Sequence, residues 1–279
     1  MNRRSFLSVL GAPFLAPVVA SLLAACGDDE TEAGITHPMG PNDVVVKVTS
    51  EGGFVPEGFM FINQPTVLIS GDGRAFEPGM TTMEFPGPLM NPVFVRSISE
   101  AGIAKVLQLA DDAGLLGPAP DYELPGDVGI ADAPNTVVSI FANGREYRHV
   151  AYALGLDQMD GGPSTPARDN LQTFVTLLAD LPAVAGAAEV GEATPYLADR
   201  YRFQATVVNP ADWADPAPTV VPWPADAGVK LVDAADCAIL EADAVAATLE
   251  GATQLTFFEE AEAVYQLWIG PLLPGDAEC

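Results

Sequence analysis

Basic residues are scarce in this chain. Its 279 residues carry 12 lysines and arginines against 38 aspartates and glutamates, a formal charge of −26 at neutral pH. Lysine occurs three times, at Lys47, Lys105 and Lys230. A surface of that sign repels nucleic acid, so no nucleic-acid partner is expected. Charged residues are still an ordinary 18% of the chain, and no dense acidic cluster appears. The charge therefore reads as a solvated surface rather than as salt adaptation.

Histidine is rarer still, with His37 and His149 alone. Zinc needs three or four nitrogen, sulfur or carboxylate ligands at short spacing, and no H-E-x-x-H occurs, so no metal site is expected. No G-x-S-x-G is present either, and His149 is the sole credible general base. Placed opposite Val138 across a hairpin, His149 would leave Ser139 on the other face, which argues against a serine–histidine pair. His149 reads as a hydrogen-bonded residue on a sheet face. Neither a P-loop nor a G-x-G-x-x-G exists to hold a nucleotide, so no cofactor is expected. Carboxylates are plentiful, but Asp111 and Asp112 sit at a helix end. Asp121, Glu123, Asp127 and Asp132 share a proline- and glycine-rich loop without the D-x-[DN]-x-[DN]-G calcium spacing. No catalytic residue is assigned.

One long hydrophobic run stands at the start. Arg3 and Arg4 precede an uncharged stretch from Phe6 to Ala25, and Leu23-Ala24-Ala25-Cys26 follows at its end. Positive, apolar and small-residue regions in that order are the layout of an export signal. Leu23-Ala24-Ala25-Cys26 resembles a lipobox, which implies a diacylglyceryl group on the Cys26 thiol and cleavage before it. Arg3-Arg4-Ser5-Phe6-Leu7 resembles a twin-arginine export signal. The alternative is an uncleaved membrane-spanning helix, for which the run is about long enough. Pro13 and Pro17 inside it, and a cysteine at its exit, favour the lipoprotein. The membrane is then a partner through the lipid anchor, and the domain faces outside the cytoplasm.

Cleavage would remove Arg3 and Arg4 and no acid, leaving 10 basic and 38 acidic residues, a charge of −28. With Cys26 lipidated, Cys237 and Cys279 remain, in a compartment where disulfides persist. Only one pairing exists, and a Cys237–Cys279 bridge would pin the C-terminus with about 3–4 kcal/mol of loop-closure stabilisation.

Residues 1–25 thus read as signal and 26–42 as lipidated cysteine and flexible tether, followed by two halves at 43–160 and 161–279. Strands are expected at 43–49, 59–62 and 66–70, with Gly71-Asp72-Gly73 as a hairpin turn. Ser97-Ile98-Ser99-Glu100 has the form of a capping box for a helix with Ile103, Val106, Leu107 and Ala110 on one stripe and Gly114 as its stop. Residues 135–153 read as a hairpin about Asn143-Gly144. Ser164-Thr165-Pro166 opens a second helix with Leu171, Phe174, Val175 and Leu178 inward. A strand at 201–209, a long loop over 210–228, a short helix at 241–250 and a closing hairpin at 255–269 complete the chain. The fold class is α+β: antiparallel meander and hairpins with about three helices packed on the sheet. The order strand, helix, hairpin occurs twice, which raises the possibility of two similar halves.

Ile69-Ser70-Gly71-Asp72-Gly73-Arg74 and Pro271-Leu272-Leu273-Pro274 before the last cysteine make the mature region similar to secreted lipoproteins of unassigned function. That resemblance assigns no catalytic residue. Function is expected to be binding of an unidentified protein or small ligand through loops, with Trp213 and Trp223 as loop aromatics able to stack on it. The alternative is a carboxylate-based hydrolase of the cell envelope, with calcium as its candidate ion.

Overall fold

The computed structural model describes residues 34–81, 83–125, 130–156 and 164–279. Arg3, Arg4, Cys26 and the carboxylate of Asp127 lie outside the described residues. Residues 34–279 form one unit.

The chain runs through β1 (Val44–Glu51), α1 (Phe59–Ile62), β2 (Val67–Ser70), β3 (Arg74–Pro78), β4 (Val93–Ser97), α2 (Glu100–Asp112), β5 (Asn135–Ala142) and β6 (Arg145–Tyr152). Next come α3 (Pro166–Leu178), α4 (Leu181–Ala185), β7 (Thr194–Pro195), β8 (Arg200–Val207), β9 (Thr219–Pro222) and β10 (Ala238–Glu241). It closes with α5 (Ala242–Leu249), β11 (Thr256–Glu260) and β12 (Ala263–Pro271). Two sheets result, ordered β6-β5-β1-β2-β3-β4-β7 and β10-β8-β12-β11-β9. Pairing is antiparallel throughout except between β9 and β11, so the class is α+β.

Period-two alternation assigns the faces of the first sheet. Val46, Val48, Val67, Ile69, Val138 and Ile140 point to α2, α3 and α4 and form the larger core with Ile103, Leu107, Leu171 and Phe174. Leu68 and Phe76 point the other way, where Leu273 from the C-terminal segment covers them. The hairpin register is the expected one, Val138 opposite His149 and Ile140 opposite Tyr147. The second core lies in the smaller sheet, with Phe203, Phe258, Leu267 and Ile269 against Val245 of α5.

Several expectations are corrected. Residues 59–62 form a single helical turn, not a strand. Four consecutive apolar residues carry no period, and Gly58 at φ 77° turns the chain into it. A Cβ on Gly58 would overlap the Trp268 indole, so the position requires glycine twice over. The cap of α2 is Ser99, not Ser97: its hydroxyl accepts from the Gly102 N–H at 3.1 Å. Ser97 is still in the β4 ladder, opposite Arg74. The 210–228 loop contains β9, whose β-branched Thr219, Val220 and Val221 pair alongside β11.

Leu171, Phe174, Leu178 and Leu181 of α3 and α4 belong to the first core, and β7 pairs with β4. The segment 34–42 is docked rather than free. Thr36 exchanges backbone and side-chain bonds with Asn143, Ile35 packs on the first core, and the His37 imidazole bonds the Pro38 carbonyl and the Glu100 carboxylate.

The topology gives the first sheet two unlike ends. Because its strands alternate in direction, the β2–β3 turn and the β5–β6 turn leave one end, where residues 34–42 dock. The β1–β2 connection (52–66) and the β3–β4 connection (79–92) leave the other end. There Leu89 joins the second core and the Leu89 N–H donates to the Ala252 carbonyl, which ties the loops to the smaller sheet.

Candidate functional site

The residues singled out for chemistry do not converge. His149 is fully buried, and both ring nitrogens are used. Its Nε2–H donates to the Leu115 carbonyl at 2.9 Å, and Nδ1 accepts from the Tyr122 hydroxyl at 2.8 Å. Burial holds its pKa below the ordinary imidazole value, against the opposing pull of the Leu115 carbonyl. Burial also pushes the Tyr122 phenol up to about 12. Ser139 lies on the opposite face, beside Arg148, and its hydroxyl donates to Glu146.

Arg168, buried in the first turn of α3, donates to the carbonyls of Tyr122, Tyr152 and Ala153. The Tyr152 hydroxyl donates to the Ile130 carbonyl and accepts from the Ala133 N–H. This buried set fastens the irregular stretches 113–125 and 130–134 to the hairpin and α3. Its polar groups satisfy backbone carbonyls that a loop over a core would otherwise leave unpaired. The same stretches hold Asp121, Glu123 and Asp132, but among the described residues no three histidines, cysteines or acids gather as metal ligands.

The two tryptophans are separated by role. Trp223 is buried in the second core, edge-on to Phe258, and its indole N–H donates to the Val229 carbonyl. Trp213 is half-buried, edge-on to Phe257. They form no common stacking surface.

Two grooves lie elsewhere, on both sides of the C-terminal segment 271–279. This strap crosses the second face of the first sheet. The Cys237–Cys279 disulfide holds its end, with Cα atoms 5.4 Å apart. Leu273 is buried under it, Lys47 meets Asp276 at 2.8 Å, and Arg200 meets Glu278 at 2.7 Å. The other Asp276 oxygen accepts the Leu273 N–H. On the side of the docked 34–42 segment lies a groove of about 720 Å³ lined by Asp72, Arg74, Tyr196, Asp199 and Arg200. Its arginines are already paired, Arg74 with Asp72 at 2.8 Å and Arg200 with Glu278.

On the other side lies a groove of about 610 Å³ between the β1–β2 connection and the strap. Val55, Phe59 and Met60 supply its apolar wall, and Lys47 and Arg202 its cations. Loop side chains at that end are unusually bare: Phe54 is 91% exposed, Met80 98% and Phe85 65%. Large apolar groups exposed together mark surfaces that meet something else. No sequence signal marked this groove. The strap closes it from a distance of more than two hundred residues, which periodicity does not register.

The chain matches no protein-family model, no curated protein and no solved structure. What the fold and grooves define is a two-sheet α+β domain whose concave surfaces share one disulfide-held wall. Among the described residues, no helix is long and apolar enough to cross a membrane.

Proposed function

We propose that this protein is an extracytoplasmic lipoprotein, anchored through acyl chains on Cys26, that binds a partner protein or small ligand non-enzymatically through its loops. One observation carries the reading. The described chain begins at one end of the first sheet, and the exposed apolar loop residues Phe54, Met60, Met80 and Phe85 stand at the other. Those bare loops are the surface offered to a partner.

The buried, doubly bonded His149 supports the absence of a general base from this reading. The acidic surface supports attachment by lipid, since anionic headgroups would not hold it. Two similar halves are not part of the proposal: the first hairpin docks through its leading strand, β5 on β1, and the second through its trailing strand, β12 on β8.

Labelling the native host with radioactive palmitate and fractionating its membranes tests the anchor. The intact chain is expected to carry label in the membrane fraction, and Cys26→Ser to lose it and yield a folded soluble domain. Label retained by Cys26→Ser overturns the assignment.

A further inference from the structure

From the groove between the β1–β2 connection and the strap, we infer a binding site for an amphiphile with one carboxylate head and an apolar tail. The inference deepens the binding reading given above and rests on it. Four charged residues line this groove: Lys47, Glu51, Arg202 and Asp276. Lys47 is neutralised by Asp276, and Glu51 reaches Arg148 at 3.2 Å. Arg202 is different. In a chain with 38 carboxylates, none pairs with it among the described residues. Its guanidinium lies over the Phe61 ring at 5.5 Å and gives one N–H to the Met60 carbonyl at 3.2 Å.

A guanidinium has five N–H donors in a planar fork, so most of this one is available to a carboxylate in two-point contact. The Met60 and Phe61 contacts fix the head against α1 before any ligand arrives, which limits the ordering cost of binding. Beside it the groove offers Val55, Phe59 and Met60, and Met60 is 66% exposed. Methionine adapts to an irregular chain. The volume of about 610 Å³ is of the size that small-ligand sites occupy. A dianionic head is disfavoured, because Asp276 and Glu51 flank the same groove. A cationic head is disfavoured by Arg202 itself.

The test uses the full chain in phosphatidylcholine vesicles, with dodecanoic acid bearing a terminal diazirine and the corresponding alcohol as probes. Photolysis and peptide mass spectrometry locate the crosslinks. The acid is expected to label the 55–60 segment and the alcohol to label it at least about tenfold less, the factor one charge-assisted pair supplies. Arg202→Gln should lower labelling by the acid to that of the alcohol, and Arg202→Lys should restore part of it. Met60→Asp, at an exposed position that leaves the core intact, should also abolish it. Equal labelling by acid and alcohol, labelling indifferent to Arg202→Gln, or crosslinks confined to residues outside the groove overturns the inference. Palmitate incorporation measured on the same samples separates the two proposals. A groove labelled in an unlipidated chain removes the anchor alone, and a lipidated chain without groove labelling removes the groove alone.

Discussion

The buried His149 makes the stability of this protein depend on pH in a direction that the geometry fixes. In the folded state the imidazole is neutral, with Nε2–H on the Leu115 carbonyl and Nδ1 accepting from Tyr122. A second proton would have to displace the Tyr122 hydroxyl hydrogen from Nδ1 inside the core. Burial accordingly lowers the folded pKa below the unfolded value near 6.5. Between the two values the unfolded chain binds a proton that the folded chain refuses, so stability rises with pH there. The contribution is complete above about pH 6.5 and is lost as the pH falls below it. One proton per molecule limits the slope to about 1.4 kcal/mol per pH unit.

The assay is urea unfolding of the wild type and of His149→Gln at half-unit steps from pH 7.5 to 5. Glutamine can still donate to Leu115 but does not titrate, so other groups cancel in the difference. The wild type's advantage should be constant above pH 6.5 and shrink below it, with a slope up to that limit. An advantage that stays flat to pH 5, or grows, would refute the buried neutral imidazole. Tyr122→Phe should cost about 1–3 kcal/mol at pH 7.5, because it leaves Nδ1 buried without a donor.

Other outcomes follow from the packing. Replacing Cys237 and Cys279 by alanine opens a loop with a sequence separation of 42, and loop-closure entropy puts the loss at about 4 kcal/mol. Hydrogen exchange should rise first in residues 271–279, and uniform exchange across the chain would contradict the strap's role. Gly58→Ala should destabilise by about 1 kcal/mol or more, through both its positive φ and the Trp268 overlap, as read from the thermal midpoint; an unchanged midpoint rejects the packing of α1 on β12. Phe174→Ala should cost about 3–5 kcal/mol in global unfolding. A loss confined to the smaller sheet, seen by hydrogen exchange, would show that α3 does not belong to the first core.

Much of the local structure was legible because its signals are local. The stripe of Ile103, Val106, Leu107 and Ala110, the Asn143-Gly144 turn and the Thr165-Pro166 helix start act within a few residues and match the structure. Expectations failed where distant parts of the chain decide. Residues 59–62 fold as a helical turn because β12 presents Trp268 and Gly270 to them. Residues 34–42 are held by Asn143 and Glu100 rather than left as a tether. Arg168, on which no local sequence signal bears, is buried with the carbonyls of Tyr122, Tyr152 and Ala153 converging on it from distant parts of the chain. Of the candidate site, the disulfide was legible by elimination among three cysteines. The groove it borders was not, since Val55, Lys47, Arg202 and Asp276 are brought together only by the crossing of the strap.

On the proposed reading a thioether at residue 26 attaches the protein to a membrane. Mass spectrometry of the chain isolated from its native membrane addresses this directly. The account predicts an N-terminal peptide that begins at Cys26 and carries the mass of a diacylglyceryl group. A peptide that runs unmodified through Ala25 and Cys26 would contradict it.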